Sequence, residues 1–592
     1  VDVNSKLPVS PPRPVSALIG LLDRQEGLVR DVHPVRVMFL RNFTIEPIAP
    51  FLKYHLLRDE IRAELGFGNY GDYVQAILSG DIKVNGSDPD VIVSSLLLEP
   101  FHKDFEISNW EDDPGPRIEA LFDAILERTR AVVVANTFLR PDPVLFGHRR
   151  AGDRSLDIRT TGLNQVIREY AEFHPSRFVL IDFEAILMRF GAKASLDARS
   201  WYSSLAPFRF DFLDRYAREI GNVIRSLRGH AKKCLVLDCD NTLWGGVVGE
   251  DGIKGVDLDP NGNPGRIYYD FQKSVLQLES RGVVLALCSK NNEEDVLDLL
   301  DQHPHCLLNR DHIAAHRINW LPKHQNLSSL SDELNLSTDS MVFVDDSEVE
   351  QGLIESLMPE VMVLPVPQKL HQLPRLFLEH DPFDVLSKTE EDRSRTRMYQ
   401  EQQGRKRYKE RLGSVEEYLK SLGTCVRVHE ATSEEIARVS QLTQKTNQFN
   451  LTTRRYSEAE IQAMAGDEES AVYTLSVSDR FGDSGLTGVF IAKRKQETGR
   501  VDTFLMSCRV LGRELETAFA SECINHLCAS WGNLYWTAEY IPTSKNEQTA
   551  DFWPSFGMEQ TGKTKEGVTF SADAQDLKLT VPSHISLEPV TT

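Results

Sequence analysis

The sequence predicts an α/β protein of three domains, and three observations carry that prediction. From residue 35 onward, short apolar runs rich in Val, Ile and Phe alternate with helical patterns. In the middle of the chain, the apolar runs 235–237, 283–287 and 341–344 each end on residues suited to phosphate or metal. After Thr424 the strand patterns at 471–477, 486–492 and 501–507 follow one another directly, which is an α+β arrangement.

In chain order, residues 1–29 have weak periodicity and read as a linker or arm. Residues 30–228 follow with strands at 35–40, 91–97, 131–136 and 178–183. Helical patterns lie within 47–64 and at 118–128 and 162–172, which together predict a doubly wound domain. Residues 229–385 hold the three central apolar runs. Residues 386–423 are charge-rich with a helical pattern, opened by a capping-box-like Thr389-Glu-Glu-Asp, and read as a connector. Residues 424–573 form the third domain, and 574–592 read as a polar tail.

The 592 residues carry 67 basic and 88 acidic side chains, a net charge of −21. With no broad basic field to neutralise phosphates, nucleic acid is not expected as a partner. A local exception is Arg405, Lys406, Arg407, Lys409 and Arg411, read either as a solvated helix face or as a dock for an acidic protein. No apolar run is long enough to cross a bilayer, so no membrane is expected. The eight cysteines lack Cys-x-x-Cys spacing and read as the reduced thiols of a cytoplasmic protein. The chain starts without Met and without a signal-peptide pattern, which is expected of a piece of a longer polypeptide.

The chemistry concentrates in residues 234–250. The run 235–237 delivers Asp238 and Asp240 to a strand's C-terminal end, where open α/β sheets place their ligands. One carboxylate can attack phosphorus while the other moves the leaving group's proton. Two adjacent anions are best accommodated by a divalent cation, which implies Mg2+. The second run ends at Ser289-Lys290-Asn291, Lys323 follows in a polar stretch, and the third run ends at Asp345-Asp346, further metal ligands beside Asp238 and Asp240. Between the acid pair and Ser289 lie a Gly-rich flap (245–255), a turn (261–265) and one helix, too little for a large cap. The flap glycines are expected to let backbone approach phosphate, and Trp244 reads equally as a lid or as core.

Acid pair, Ser, Lys, acid pair, in that order, is the four-motif pattern of haloacid dehalogenase-like (HAD) phosphotransferases. With the Asp-Asn-Thr-Leu-Trp-Gly-Gly tail, the chain resembles the FkbH-like subfamily. That resemblance implies D-1,3-bisphosphoglycerate as substrate and a glyceryl thioester on an acyl carrier protein as product, in polyketide biosynthesis, with the chain expected as part of a larger polyketide synthase. It also implies that residues 30–228 are similar to SGNH hydrolases. Their nucleophile motif is absent here, where the first strand runs into Leu40-Arg41-Asn42-Phe43-Thr44. The His of the Asp-x-x-His pair is absent after Asp197, so this domain reads as scaffold or docking module. Residues 424–573 resemble the GNAT acyltransferase fold, with Arg509, Gly512 and Arg513 in the loop expected to hold a phosphopantetheine phosphate; Glu514 there disfavours the diphosphate of coenzyme A. The acyl group needs a thiol, and two compete. Cys239 lies between the catalytic aspartates, although strand alternation turns it from their face; Cys508 ends a strand at the pantetheine loop. An amide cluster (Gln444, Asn447, Gln448, Asn450) reads as an acyl-chain grip or a capped helix end.

Overall fold

The computed structural model describes residues 11–25, 34–70, 73–80, 82–101, 113–140, 156–175, 177–380, 382–383, 395–409, 411–532, 535–543, 545–563 and 567–588. The chain forms two compact units, Val1–His230 and Ala231–Thr592. The second unit holds both of the other sheets.

The first unit is built on five parallel strands: β1 (Val35–Arg41), β2 (Ala63–Phe67), β3 (Val91–Ser95), β4 (Val132–Asn136) and β5 (Phe178–Ile181). Their order is β2-β1-β3-β4-β5, one of the two common doubly wound orders. β3 and β4 are buried along their whole length, which is why their sequences (VIVSS, VVVAN) show no alternation. β2 escaped the sequence reading because Ala-Glu-Leu-Gly-Phe is short, half-buried at a sheet edge and has no β-branched residue. The arm expected over 1–29 includes a helix, Val15–Gln25. It buries Leu18 and Leu22 and packs on the helix Ala49–Leu57, so this stretch belongs to the domain. At the expected hydrolase positions, Asn42 is spent on both backbone groups of Leu97, and Asp197 caps the helix Ala198–Ser204 by accepting from Ser200 N.

In the second unit β6 (Cys234–Leu237), β7 (Val284–Ser289), β8 (Ala315–Ile318), β9 (Met341–Asp345) and β10 (Met362–Pro365) form a parallel sheet in the order β10-β9-β6-β7-β8. Strand order reverses between β6 and β9, and ligands bind α/β sheets beyond the C-terminal ends of strands at such a switch point. Asp238 follows β6 directly and Asp345 ends β9. The insertion between β6 and β7 holds only the short helix Val248–Asp251 and the helix Gly265–Glu279, too little for a cap domain at this point in the chain.

The last sheet has nine strands: β11 (Thr424–Glu430), β12 (Phe449–Asn450), β13 (Ser470–Asp479), β14 (Gly482–Lys495), β15 (Thr498–Met506), β16 (Tyr535–Tyr540), β17 (Glu559–Lys563), β18 (Val568–Asp573) and β19 (Ile585–Glu588). The β11-β13-β14-β15 pairings are antiparallel and β15-β16 is parallel, with the helix Leu515–Trp531 as crossover. The polar tail expected over 574–592 instead supplies β19, which pairs parallel with β11 and buries Ile585. The connector helix Arg395–Lys409 docks on this sheet through a buried ion pair: Arg405 grips Asp479 with Nε at 2.7 Å and Nη2 at 2.9 Å. Arg405 is therefore neither a solvated face nor a docking cation. The expected capping box at Thr389 lies outside the described residues.

Candidate active site

Four segments converge beyond the C-terminal ends of β6, β7 and β9. The helix Lys323–Leu334 starts with its first side chain aimed at the strand ends. Lys323 Nζ lies 2.9 Å from Asp238 Oδ1 and 2.6 Å from Asp345 Oδ2, and all three side chains are buried. The Ser289 hydroxyl is hydrogen-bonded to the Asp238 carboxylate. Asp345 Oδ1 accepts from Ser347 N at 2.8 Å, which fixes the loop after β9.

Asp238, Asp345 and Asp346 each offer a carboxylate oxygen within 4.8 Å of the other two. Among the described residues they are the one such cluster of three or more metal-ligating side chains. Burial raises the carboxyl of Asp238 above the usual range; Lys323 opposes this and the Asp345 charge adds to it. Burial likewise raises Asp345 against the pull of Lys323. Asp346, though exposed on one side, is raised by partial loss of water around its carboxyl and then by the Asp238 charge. For Lys323, burial favours the neutral form, but the two carboxylates outweigh it and the ammonium is held more firmly than usual. Two buried acids thus share one ammonium, with Asp346 beside them. The donors are hard carboxylate oxygens without sulfur or imidazole, and Asp346 is exposed, a set that fits Mg2+ with water or substrate on its open side.

Asp240 differs from the expectation that it joins the metal ligands. Its Oδ1 accepts from Trp244 Nε1 at 2.8 Å and Val248 N at 3.1 Å, and its Oδ2 accepts from Asn291 Nδ2 at 2.8 Å. These three donors engage both carboxylate oxygens, and Asp240 is not among the side chains that cluster with Asp238, Asp345 and Asp346. Trp244 is fully buried, so it is core and also orients Asp240. Asn291 is the residue the sequence reading passed over. It lies two positions beyond Ser289, and alternation puts both side chains on the face of the acids; its amide also reaches Ser289 Oγ at 3.4 Å. Lys290 points the other way and pairs with Glu350 at 2.6 Å, so Lys323 is the cation of the site.

The flap is pinned by its own contacts. A Cβ on Gly245 would meet the Tyr268 ring at 2.8 Å, and one on Gly246 (φ +92) would meet Asp251 Oδ2 at 2.6 Å. Gly245 and Gly246 thus allow close internal packing of the flap.

The two candidate thiols stand apart. Cys239 is fully buried in the apolar cluster with Leu237, Leu243 and Trp244. Burial first, then the Asp238 charge, pushes its thiol well above the ordinary value, which disfavours the thiolate. Cys508 opens a 3-10 turn, Cys508–Val510, directly after β15; its side chain lies outside the described residues.

The loop expected to hold a pantetheine phosphate is engaged by the protein itself. Arg513 Nη1 donates to Asp479 Oδ2 at 2.9 Å, beside Arg405. Arg509 Nε donates to Ser507 Oγ at 3.2 Å. Gly512 takes its left-handed turn (φ +76), but the helix that follows starts with Glu514 and Glu516, and His584 lies 3.8 Å from Glu514 and 3.3 Å from Arg513 O. Two carboxylates at a helix N-terminus repel a phosphate. The gap beside this loop is also filled. β15 and β16 pair only from Thr498 to Val501, and beyond that β12 pairs with Leu505 and Met506, while Leu451 O accepts from Ile541 N at 2.8 Å. The amide cluster divides: Asn450 is buried and bonds Thr446 O, whereas Asn447 accepts from Arg455 at 2.7 Å.

No protein-family model and no curated protein matches the chain. Among solved structures, the N-terminal part of BF1531 from Bacteroides fragilis, described as containing a phosphatase domain complexed with Mg, is similar to 62% of this chain over 98% of its own length. It has 23% identity and a TM-score of 0.57, which establishes a shared fold. The Escherichia coli ribosomal-protein-S18-alanine N-acetyltransferase matches 25% of this chain over 94% of its own, with 10% identity and a TM-score of 0.21. The aminoglycoside acetyltransferase AAC(6')-Ib in complex with coenzyme A matches 26% over 96%, with 13% identity and a TM-score of 0.21.

Proposed function

We propose that the chain is a Mg2+-dependent phosphotransferase of the HAD type that dephosphorylates a phosphoglycerate and passes the glyceryl group to an acyl carrier protein. The observation that carries the first half is the sharing of Lys323 between Asp238 and Asp345, with Ser289 and Asp346 beside them, at the switch point of a parallel sheet. Asp238, Asp345 and Asp346 would hold Mg2+, which when bound offsets the charge of the phosphoryl oxygens. Asp238 attacks phosphorus through its free oxygen; the bond to the leaving oxygen breaks, and Asp240, held by Trp244 and Asn291, gives that oxygen its proton. Water then attacks the aspartyl phosphate with Asp240 taking a proton, releasing phosphate and restoring Asp238. Ser289 and Lys323 hold the phosphoryl oxygens. The open strand ends suit a substrate carried on a long arm.

The second half rests on the FkbH-like resemblance. An enzyme thiolate displaces the acyl phosphate to give a thioester and phosphate, and the carrier thiol then takes the acyl group. The burial of Cys239 favours Cys508 for that role. A second reading, a plain phosphatase of small molecules, is favoured by the filled gap between β15 and β16 and by the internal engagement of Arg513. Incubation with labelled bisphosphoglycerate, Mg2+ and carrier protein separates the two. Label on the carrier, lost in Cys508→Ser, supports transfer; released phosphate with an unlabelled carrier supports the plain phosphatase.

A further inference from the structure

A cavity of about 100 Å³ lies within the second unit, between the HAD-like sheet and the last sheet. Its wall carries Lys233, Arg438, Lys445, Arg509 and Lys545, with Asp339 as its one carboxylate. Five cations against one acid, in a chain of net charge −21, is a local reversal of sign. Like charges gathered around one half-open space repel one another and favour an anion within it. The cations are also held in place. Lys545 pairs with Asp339, whose carboxyl is held down at about 2; burial opposes this, and the Lys545 and Lys232 charges outweigh it. Arg438 and Arg509 are each less than a tenth exposed, Arg438 donating to Gln441 and to Leu486 O. Lys233 Nζ donates to Lys445 O at 2.7 Å, tying the end of the helix Ile436–Lys445 to the HAD-like sheet. Gln448, also on the wall, has a buried Oε1 without a hydrogen-bond partner, an acceptor placed for a ligand's hydroxyl or amide hydrogen. The room exceeds the roughly 30 Å³ share of a single water.

We propose that this cavity is a second anion site, separate from the Asp238 centre, that binds the phosphate group of a phosphoester also carrying a hydroxyl or amide. The inference rests on the proposed handling of phosphorylated substrates but moves phosphate recognition away from the loop at Gly512, which faces carboxylates, to the wall that Arg509 shares with Arg438, Lys445 and Lys545. The phosphoester has two sources, the small phosphorylated acid or a phosphopantetheine arm, and their shared chemistry is the phosphate.

The test is equilibrium binding in EDTA, which removes the contribution of the acid cluster. The probes are inorganic phosphate, glycerol 3-phosphate and phosphopantetheine, with glycerol and pantetheine as controls, followed by calorimetry and phosphorus NMR. At least one phosphorylated probe should bind wild type and Asp238→Asn equally. It should weaken as salt is raised and weaken at least tenfold in Lys445→Gln/Lys545→Gln. Preference for glycerol 3-phosphate assigns the site to the small substrate, and preference for phosphopantetheine to the arm. No binding in EDTA, or undiminished binding by the folded double variant, overturns the site. Should the double variant fail to fold, Lys545→Gln alone, with its 37% exposed side chain, should weaken binding at least threefold; unchanged binding there also overturns it. Failure of the proposed phosphatase reaction would appear separately, as absent Mg2+-dependent phosphate release by wild type.

Discussion

Replacing Lys323 with Met removes the ammonium shared by Asp238 and Asp345 while keeping a side chain of similar length. At contacts of 2.9 and 2.6 Å, an effective dielectric of about 20 gives roughly 6 kcal/mol of Coulomb attraction each. Desolvation of the ammonium offsets most of that sum. Breaking a buried pair by deleting one partner typically leaves a net loss of ~3–5 kcal/mol. The loss has a pH signature. Asp238 and Asp345 already sit above the usual carboxylate range, and without Lys323 they rise further. A carboxyl whose folded pKa exceeds its unfolded one adds stability below the unfolded value, about 4, and that contribution disappears as pH rises through the folded value. The deficit of Lys323→Met should therefore be small near about pH 4 and full at neutral pH, and Mg2+ should restore part of it. Amide exchange of the peptides containing β6 and β9 reads the opening of this sheet without requiring two-state unfolding of the whole chain. Exchange at neutral pH in EDTA should accelerate roughly a hundredfold to a few thousandfold, since each ~1.4 kcal/mol is a factor of ten. Unchanged protection, or a loss indifferent to both pH and Mg2+, would refute the reasoning.

Trp244→Phe deletes one donor to the Asp240 carboxylate while keeping an aromatic ring in the core. We expect phosphatase kcat to fall about tenfold with KM within twofold, a loss of ~1.5 kcal/mol in the proton-transfer step; steady-state kinetics on an aryl phosphate checks it. Arg513→Ala takes one of two guanidiniums from buried Asp479 and should destabilise the last sheet by about 3 kcal/mol, leaving Mg2+-dependent phosphate release intact; amide exchange of β13 with a turnover assay tests both halves. Native Cys239 should resist iodoacetamide until the protein is unfolded, because it is fully buried and its thiol is held protonated; alkylation under native conditions, read by peptide mass spectrometry, would contradict that environment.

Where the chain states its structure locally, the sequence reading holds. The three central runs became β6, β7 and β9 to within a residue or two, because buried parallel strands show as uninterrupted apolar stretches. Ser289, Lys323 and Asp345 converge on Asp238 because each marks a strand end or helix start at one edge of the sheet. What depends on long-range partners was not legible. Arg405 and Arg513 look like solvent or ligand cations until Asp479 is seen between them, more than 30 positions from either. Asp240 lies two positions from Asp238, yet its carboxylate is engaged by three hydrogen-bond donors from two other segments rather than joined to the acid cluster. The tail's β19 is only four residues long, too short for a periodicity signal, and its register comes from β11, about 160 residues earlier. β12 is two residues and exists only because β15 and β16 diverge.

The claim on which the account turns is that Asp238 receives the phosphoryl group. Borohydride reduces an aspartyl phosphate to homoserine, so enzyme turning over an aryl phosphate with Mg2+ can be quenched with borohydride, digested and sequenced by mass spectrometry. The account predicts homoserine at position 238, dependent on both substrate and Mg2+, and none at 240, 345 or 346. Phosphate release that continues with Asp238 unmodified, or in Asp238→Asn, would contradict it.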